Sequence, residues 1–293
     1  MKEIVNVETT LRVPKWTLKK RKTNFSISNL FLYTSTVVVL FIIACAIFPK
    51  WIAPFSPTYM NAEYILSKPS ANHWFGTDYF GRDVFSLVIY GSQDSLIIGV
   101  TSVLIGGIIG GSIGALAGYI GGFVDVILMR VIEILMTIPG ILLALAIAAA
   151  LGPSLFNIVL AVAASAIPGY ARVMRGQVMS IKKRKFVAAS RSIGTPSWRI
   201  FLWHILPNSW SPLLVLGTIG LGTSILIGSG LSFLGLGTIK EIPDWGALLS
   251  QGRGYLTVAW WISTFPGLAI TLFVLSINII GDKLRDSFDP KTR

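Results

Sequence analysis

Between residues 96 and 120 the chain runs for 25 residues without an Asp, Glu, Lys, Arg or His. At about 1.5 Å per helical residue, such a run is long enough to cross the roughly 30 Å hydrocarbon core of a bilayer. Five more runs of this kind fall at 29–48, 134–151, 155–171, 211–237 and 262–281, and none of them carries an ionisable side chain. The chain is therefore expected to be an all-α integral membrane protein with six transmembrane helices. Composition agrees: only 13% of the residues are charged, where a soluble domain carries about a quarter, and the mean hydropathy is +0.70. The first run reads as a retained span rather than a cleavable signal. It follows 28 residues of chain, with no small-residue cleavage site after it, whereas a signal-peptide core is about 7–15 residues behind a short basic leader.

The net charge of +12 would suggest nucleic-acid binding in a soluble domain. Here the cations sit in the short connections, where the positive-inside rule accounts for them. With the N-terminus placed in the cytoplasm, twenty Lys and Arg fall on that side and five on the other. Both termini are therefore expected to be cytoplasmic. The resulting organisation is a basic cytoplasmic segment at 1–28, a first transmembrane helix at 29–48 and an extracytoplasmic segment at 49–95. A five-helix core follows at 96–282, with a cytoplasmic loop at 182–208 inside it, and the cytoplasmic tail is 283–293. Trp51, Trp74, Trp245, Trp260 and Trp261 mark the outer interface, and Trp198, Trp203 and Trp210 the inner one.

Several chemistries lack their residues. Cys45 is the lone cysteine and lies in the first span, so neither a disulfide framework nor a thiolate metal site is expected. His73 and His204 are the only histidines and neither stands in HExxH, so no metal site and no catalytic residues are expected. Gly228-Ser229-Gly230 resembles a serine nucleophile turn, but no span holds a histidine to act as its base. Ion-coupled transporters usually carry intramembrane ionisable groups, and uncharged spans argue against a self-powered transporter.

The second span carries glycines at 106, 110, 114 and 118, with others beside them. A four-residue period puts Gly106, Gly110, Gly114 and Gly118 on one face, where another helix backbone can approach closely, either within this chain or in a neighbouring subunit. Pro139, Pro168, Gly169, Pro266 and Gly267 imply kinked spans.

Residues 186–208 form a basic, amphipathic segment between two apolar runs. Phe186, Ala189 and Ile193 recur at helical spacing, Gly194-Thr195-Pro196 breaks the helix, and Ser197 can cap a second one. On that helix Trp198, Phe201, Leu202 and Ile205 form an apolar face, and Pro207 marks a redirection into the fifth span. Such a surface element either receives a soluble partner or ties two spans together. On the outer side Asp78, Arg82 and Asp83 form a charge cluster, read either as a structural ion pair or as a contact.

The segment resembles the EAA loop of ABC-importer permeases: Glu-Ala-Ala, three residues, Gly, nine residues, Ile, any residue, Leu-Pro. Here it reads Ala188-Ala189-Ser190, Arg191-Ser192-Ile193, Gly194, nine residues to Trp203, then His204-Ile205-Leu206-Pro207. Ala189, Gly194, Leu206 and Pro207 match, Ala188 stands at the glutamate position, and His204 replaces the isoleucine, as is common in the peptide/nickel branch. HWFGTDYFGRDVFSLVIYG, LSFLGLG, PDWGALLSQGR, WWISTFPGLAI and NIIGDKLRDSFDP resemble, in order and spacing, the second permease of dipeptide, oligopeptide and nickel importers.

The resemblance implies a MetI-like permease fold of a type I ABC importer in a prokaryotic cytoplasmic (inner) membrane. It implies a second homologous permease, two cytoplasmic ATPase subunits and an extracytoplasmic solute-binding protein as partners, besides membrane lipid and without nucleic acid. ATP and Mg would be held by the ATPases, and this chain has no cofactor and no GxxxxGK[ST] of its own. The ATPase-coupling loop would use Ala188, Ala189, Ser190, Arg191, Gly194, Arg199, His204, Leu206 and Pro207. Asp78, Arg82, Asp83, Trp245 and Arg253 would meet the binding protein or the partner permease. The solute would be a di- or oligopeptide, moved by alternating access. Nickel or a metal chelate is the alternative, and a membrane scaffold without a transport path is the alternative of another class.

Overall fold

The computed structural model describes residues 27–238 and 240–288. Most of the basic N-terminal segment (1–26) and the end of the tail (289–293) lie outside the described residues. Among the described residues every regular element is helical, apart from one isolated bridge between Thr77 and Asp83. In chain order the helices are α1 (Ile27–Ile47), α2 (Pro49–Ile52), α3 (Val84–Ile120), α4 (Gly122–Met136), α5 (Gly140–Leu151) and α6 (Leu155–Lys182). There follow α7 (Lys185–Ser192), α8 (Ser197–Arg199), α9 (Leu206–Leu231), α10 (Trp245–Gly252) and α11 (Trp261–Phe288). A π-helical stretch, Ile200–Ile205, joins α8 to α9, so that helix continues without interruption from Ser197 to Leu231.

Among the described residues five helices are long and apolar enough to cross a membrane. The sixth crossing is built differently from the single helix expected at 134–151. Here α4 and α5 meet at a bend of 87° across Thr137, Ile138 and Pro139. Proline cannot donate to the preceding turn and pushes the residue before it toward extended backbone, so a kink becomes a full break.

Packing between α3 and α6 shows that this bent pair must still cross. Ser102 Oγ donates to the Val159 carbonyl at 3.1 Å. A Cβ built on Gly106 would lie 3.1 Å from the Ala163 carbonyl oxygen, on Gly110 2.5 Å from that of Ile167, and on Gly118 2.8 Å from that of Arg175. On Gly114 it would fall on the carbonyl of Ala171. Both helices advance together, four residues at a time, so they are parallel. The chain that leaves the C-terminal end of α3 must therefore return to the level of its N-terminal end before α6 begins. Residues 121–154 make that return.

The 37 residues of α3 span about 55 Å, well beyond the hydrocarbon core. It starts at Val84 rather than near 96, so its first turns belong to the outer layer. Asp83 caps it, accepting from Ser86 N–H at 2.8 Å and Ser86 Oγ at 2.7 Å. Residues between α2 and α3 fold over this end. Trp261 donates its indole N–H to the Thr77 carbonyl (2.9 Å), and Trp245 donates to the Val88 carbonyl (2.8 Å). Asp244 caps α10 through the N–H groups of Gly246 and Ala247, and burial pushes its carboxyl up from the ordinary value.

The core has three centres. Parts of α1, α3, α10 and α11 enclose the outer one, around Trp245 and Trp261. The middle one lies among α3, α5, α6 and α9. The inner one joins α3, α6, α7, the π-helical stretch and α9. Among the described side chains of α1 only Ser35, Val39, Ile42 and Cys45 are buried; it lies against α3 and α11 at the edge.

Candidate functional site

Beside the C-terminal ends of α3 and α6 the 186–208 segment forms two short helices at an angle set by one glycine. After α7 the chain closes in a Schellman motif: Thr195 N–H donates to Ser190 O (3.2 Å) and Gly194 N–H to Arg191 O (3.0 Å). That closure requires a left-handed residue, and Gly194 has φ +81 with nothing within 4 Å of where a Cβ would be. The glycine is needed for its backbone, not for space.

Anchorage comes from Ile205, which the sequence placed on an apolar face, and from Val187 and Ile200, which it did not single out. Val187, Ile200 and Ile205 are buried with Met174, Val178 and Ile181 of α6. Val187 belongs to α7, and Ile200 and Ile205 are five residues apart on the π-helical stretch. A π-helix closes its hydrogen bonds at i to i+5, so the face expected from α-helical spacing is rotated. Of the expected set Trp198, Phe201, Leu202 and Ile205, only Ile205 is fully buried, while Trp198 and Leu202 are exposed. Nor does Ser197 cap the second helix: Pro196 occupies the cap position, without a side-chain bond. Pro207 stands in the first turn of α9 and continues the helix rather than redirecting it.

Tyr119, at the inner end of α3, is a second anchor. Its hydroxyl donates to the Ser197 carbonyl at 2.5 Å, and its ring lies 4.6 Å from that of Phe201. Lys182 at the end of α6 donates to the Tyr119 carbonyl and stands over its ring. An aromatic residue closing the second span was the available signal. Arg175 also grips Asp125 of α4 through two hydrogen bonds, at 2.5 and 2.7 Å. α7 and α8 are thus tied both to α9 and to the α3–α6 pair.

What is left outward is largely apolar. Ile193 is 82% exposed and Trp203 71%, and Phe186, Ala188 and Ala189 are exposed beside them. Arg191 and Arg199 flank this surface, and the Arg199 guanidinium lies 5.4 Å from the Trp198 ring centre. Ser190 Oγ bonds back to Phe186 O, while His204, Leu206 and Pro207 lie along the start of the long helix.

The outer charge cluster turns inward. Asp78 is 1% exposed and Arg82 3%. Arg82 donates through Nε to Asp78 Oδ2 (2.7 Å) and through Nη1 to the Glu241 carbonyl (3.1 Å), and Asp78 Oδ1 accepts the N–H groups of Phe80 and Arg82. Asp83 caps α3 and bonds His73 Nδ1 at 3.0 Å. Asp78, Arg82, Asp83 and Trp245 are thus buried within this chain instead of forming a surface for a partner. Their polar groups are used up in holding residues 61–83 to α3 and to the segment before α10. Arg253 alone of that set is exposed, beside the Phe233 ring. Arg82→Lys is expected to lower thermal stability by about 1–2 kcal/mol, because an ammonium cannot reproduce the fork that reaches Asp78 and Glu241 together. A melting curve of the purified variant checks this; an unchanged midpoint would contradict the buried geometry.

Among the described residues no group of three or more His, Cys, Asp or Glu could hold a metal ion. A family model described as "Binding-protein-dependent transport system inner membrane component" matches residues 110–293. The probable D,D-dipeptide transport system permease protein of Escherichia coli (strain K12) is 43% identical over 258 residues, 88% of this chain and 87% of the relative. The glutathione transport system permease protein of Escherichia coli O6:K15:H31 is 44% identical over 261 residues, 89% of this chain and 86% of the relative. In shape the chain is similar to a chain of the MetNI methionine ABC transporter in an inward-facing conformation. The TM-score is 0.56 at 20% identity, over 70% of this chain and 98% of that one.

Proposed function

Because the chain belongs to the family of binding-protein-dependent transport system inner membrane components, we propose that it is the permease subunit of an ATP-driven importer of short peptides. The relatives named for D,D-dipeptide and glutathione transport support the peptide class. The observation that carries the coupling is the inner surface just described: exposed apolar residues on two helices whose buried sides are fixed to α3, α6 and α9. Cytoplasmic ATPases, holding ATP and Mg, dock there. Ala188, Ala189 and Ser190 offer a low face, Gly194 sets the angle, and Arg191 and Arg199 border the contact. His204, Leu206 and Pro207 carry the motion into α9.

A second homologous permease completes the path, and an extracytoplasmic binding protein delivers the solute. Both termini lie in the cytoplasm. The driving force enters as a rigid-body movement of packed helices, so the spans need no ionisable group.

Purification of the tagged chain from its native membrane, followed by uptake into proteoliposomes, tests this. The expected result is co-purification of a second permease and ATPases, and uptake of labelled di- or tripeptide only with ATP inside the compartment where the ATPases sit. Uptake that continued without ATP on an ion gradient would point to a secondary transporter, and isolation without ATPases to a scaffold.

A further inference from the structure

Halfway along the bundle a cleft of about 420 Å³ opens between the α4–α5 break, α6 and α9. No ionisable side chain lines it. Its polar groups are hydroxyls, and two of them are already engaged as donors. Ser165 Oγ donates to the Val162 carbonyl at 2.7 Å, and Thr223 Oγ1 to the Ile219 carbonyl at 3.2 Å. Tyr170 differs. It is 4% exposed, it lines the cleft, and its hydroxyl is buried without a hydrogen-bond partner.

The phenol is packed against glycines on both neighbouring helices. It extends from α6 to α9, where the hydroxyl meets Gly220; a Cβ there would lie 2.5 Å from the oxygen. On α3 it passes Gly107, whose Cβ would be 3.8 Å from the ring. Pro168, two residues earlier, removes a hydrogen bond from α6, and Gly169 has nothing within 4 Å of its Cβ position. A buried, unsatisfied hydroxyl costs about 1–3 kcal/mol, and phenylalanine would fill the same space without that cost. Such a group calls for a second state in which it is satisfied.

We propose that Tyr170 contacts the solute: when α9 moves away from α6, its hydroxyl turns into the cleft and donates a hydrogen bond to a backbone carbonyl of the passing peptide. This rests on the peptide-import reading above. The chemistry suits that class. An uncharged lining whose free donors are the hydroxyls of Tyr170 and Ser224 holds an amide carbonyl weakly enough to release it, and offers no carboxylate to a bare cation.

The test is Tyr170→Phe in the complete importer, reconstituted in proteoliposomes with its binding protein and a labelled tripeptide. Peptide uptake is expected to fall by about three- to tenfold, the worth of one neutral hydrogen bond. The ratio of solute-stimulated to basal ATP hydrolysis falls with it, and the melting temperature stays level or rises. Uptake equal to wild type overturns the proposal. So does a basal ATPase rate that drops by the same factor as uptake, because the hydroxyl then serves a contact within the protein. If the wild-type importer moves no peptide at all, the peptide reading falls and takes this proposal with it, whereas equal uptake by both proteins sinks this proposal alone.

Discussion

Gly114→Val is expected to prevent the chain from assembling as a stable membrane protein. A side chain at 114 would meet the Ala171 carbonyl, with its carbon only 2.9 Å from the new Cβ. That obstacle is backbone on a packed helix and cannot rotate aside. Relief requires α3 and α6 to separate, and separation opens the neighbouring contacts at Gly110 and Gly118 as well, because all lie on one seam. Overpacking usually costs about 1–3 kcal/mol; here several contacts are lost together, so the loss exceeds that range. The check is the yield of monodisperse protein in detergent, compared with Gly107→Ala, where the nearest atom would be 3.8 Å away and normal yield is expected. A Gly114→Val protein with wild-type yield and melting temperature would refute the close approach of the two helices.

Gly194→Val should leave membrane insertion intact and abolish ATP-dependent uptake. Nothing lies near the added side chain, so the effect is confined to backbone. A β-branched residue held at positive φ costs about 1–2 kcal/mol, and α7 escapes that cost by giving up the Schellman closure and changing its angle to α8. Two docking helices at the wrong angle cannot follow the ATPases together. Gly194→Asn is the informative partner, since asparagine tolerates the left-handed region and should keep most of the uptake. Wild-type transport by the valine variant would remove Gly194 from the coupling mechanism.

These two glycines also show what could be read in advance. The four-residue period of Gly106, Gly110, Gly114 and Gly118 announced a close helix contact, since only a bare face repeats that way. It could not name the partner. The opposing surface is a row of main-chain carbonyls at 163, 167, 171 and 175, which any side chain could accompany. Similarly, Asp78 and Arg82 could be seen as a pair at i, i+4, but their burial depends on Glu241, 159 residues away from Arg82.

The break at Pro139 was visible as a kink. Its 87° bend was not, because a proline fixes where a helix yields but not how far its neighbours turn it. The surface helices were recognisable as such and their glycine hinge with them. The apolar face of the second differs from the expected one, because a π-helical stretch spaces its buried residues by five and α-helical counting misses Ile200.

The parallel seam between α3 and α6 has a further consequence for how this chain can change in length. Each glycine is matched to one carbonyl at a fixed offset, so the seam has teeth four residues apart. Inserting or deleting one residue inside α3 between Gly106 and Gly118 turns everything downstream by about 100° and brings side chains into a line made for none. The non-helical residues directly after α2 carry no such register. Change of length should therefore accumulate at the rim of this protein and be refused along the seam, whatever the identity of the residue inserted.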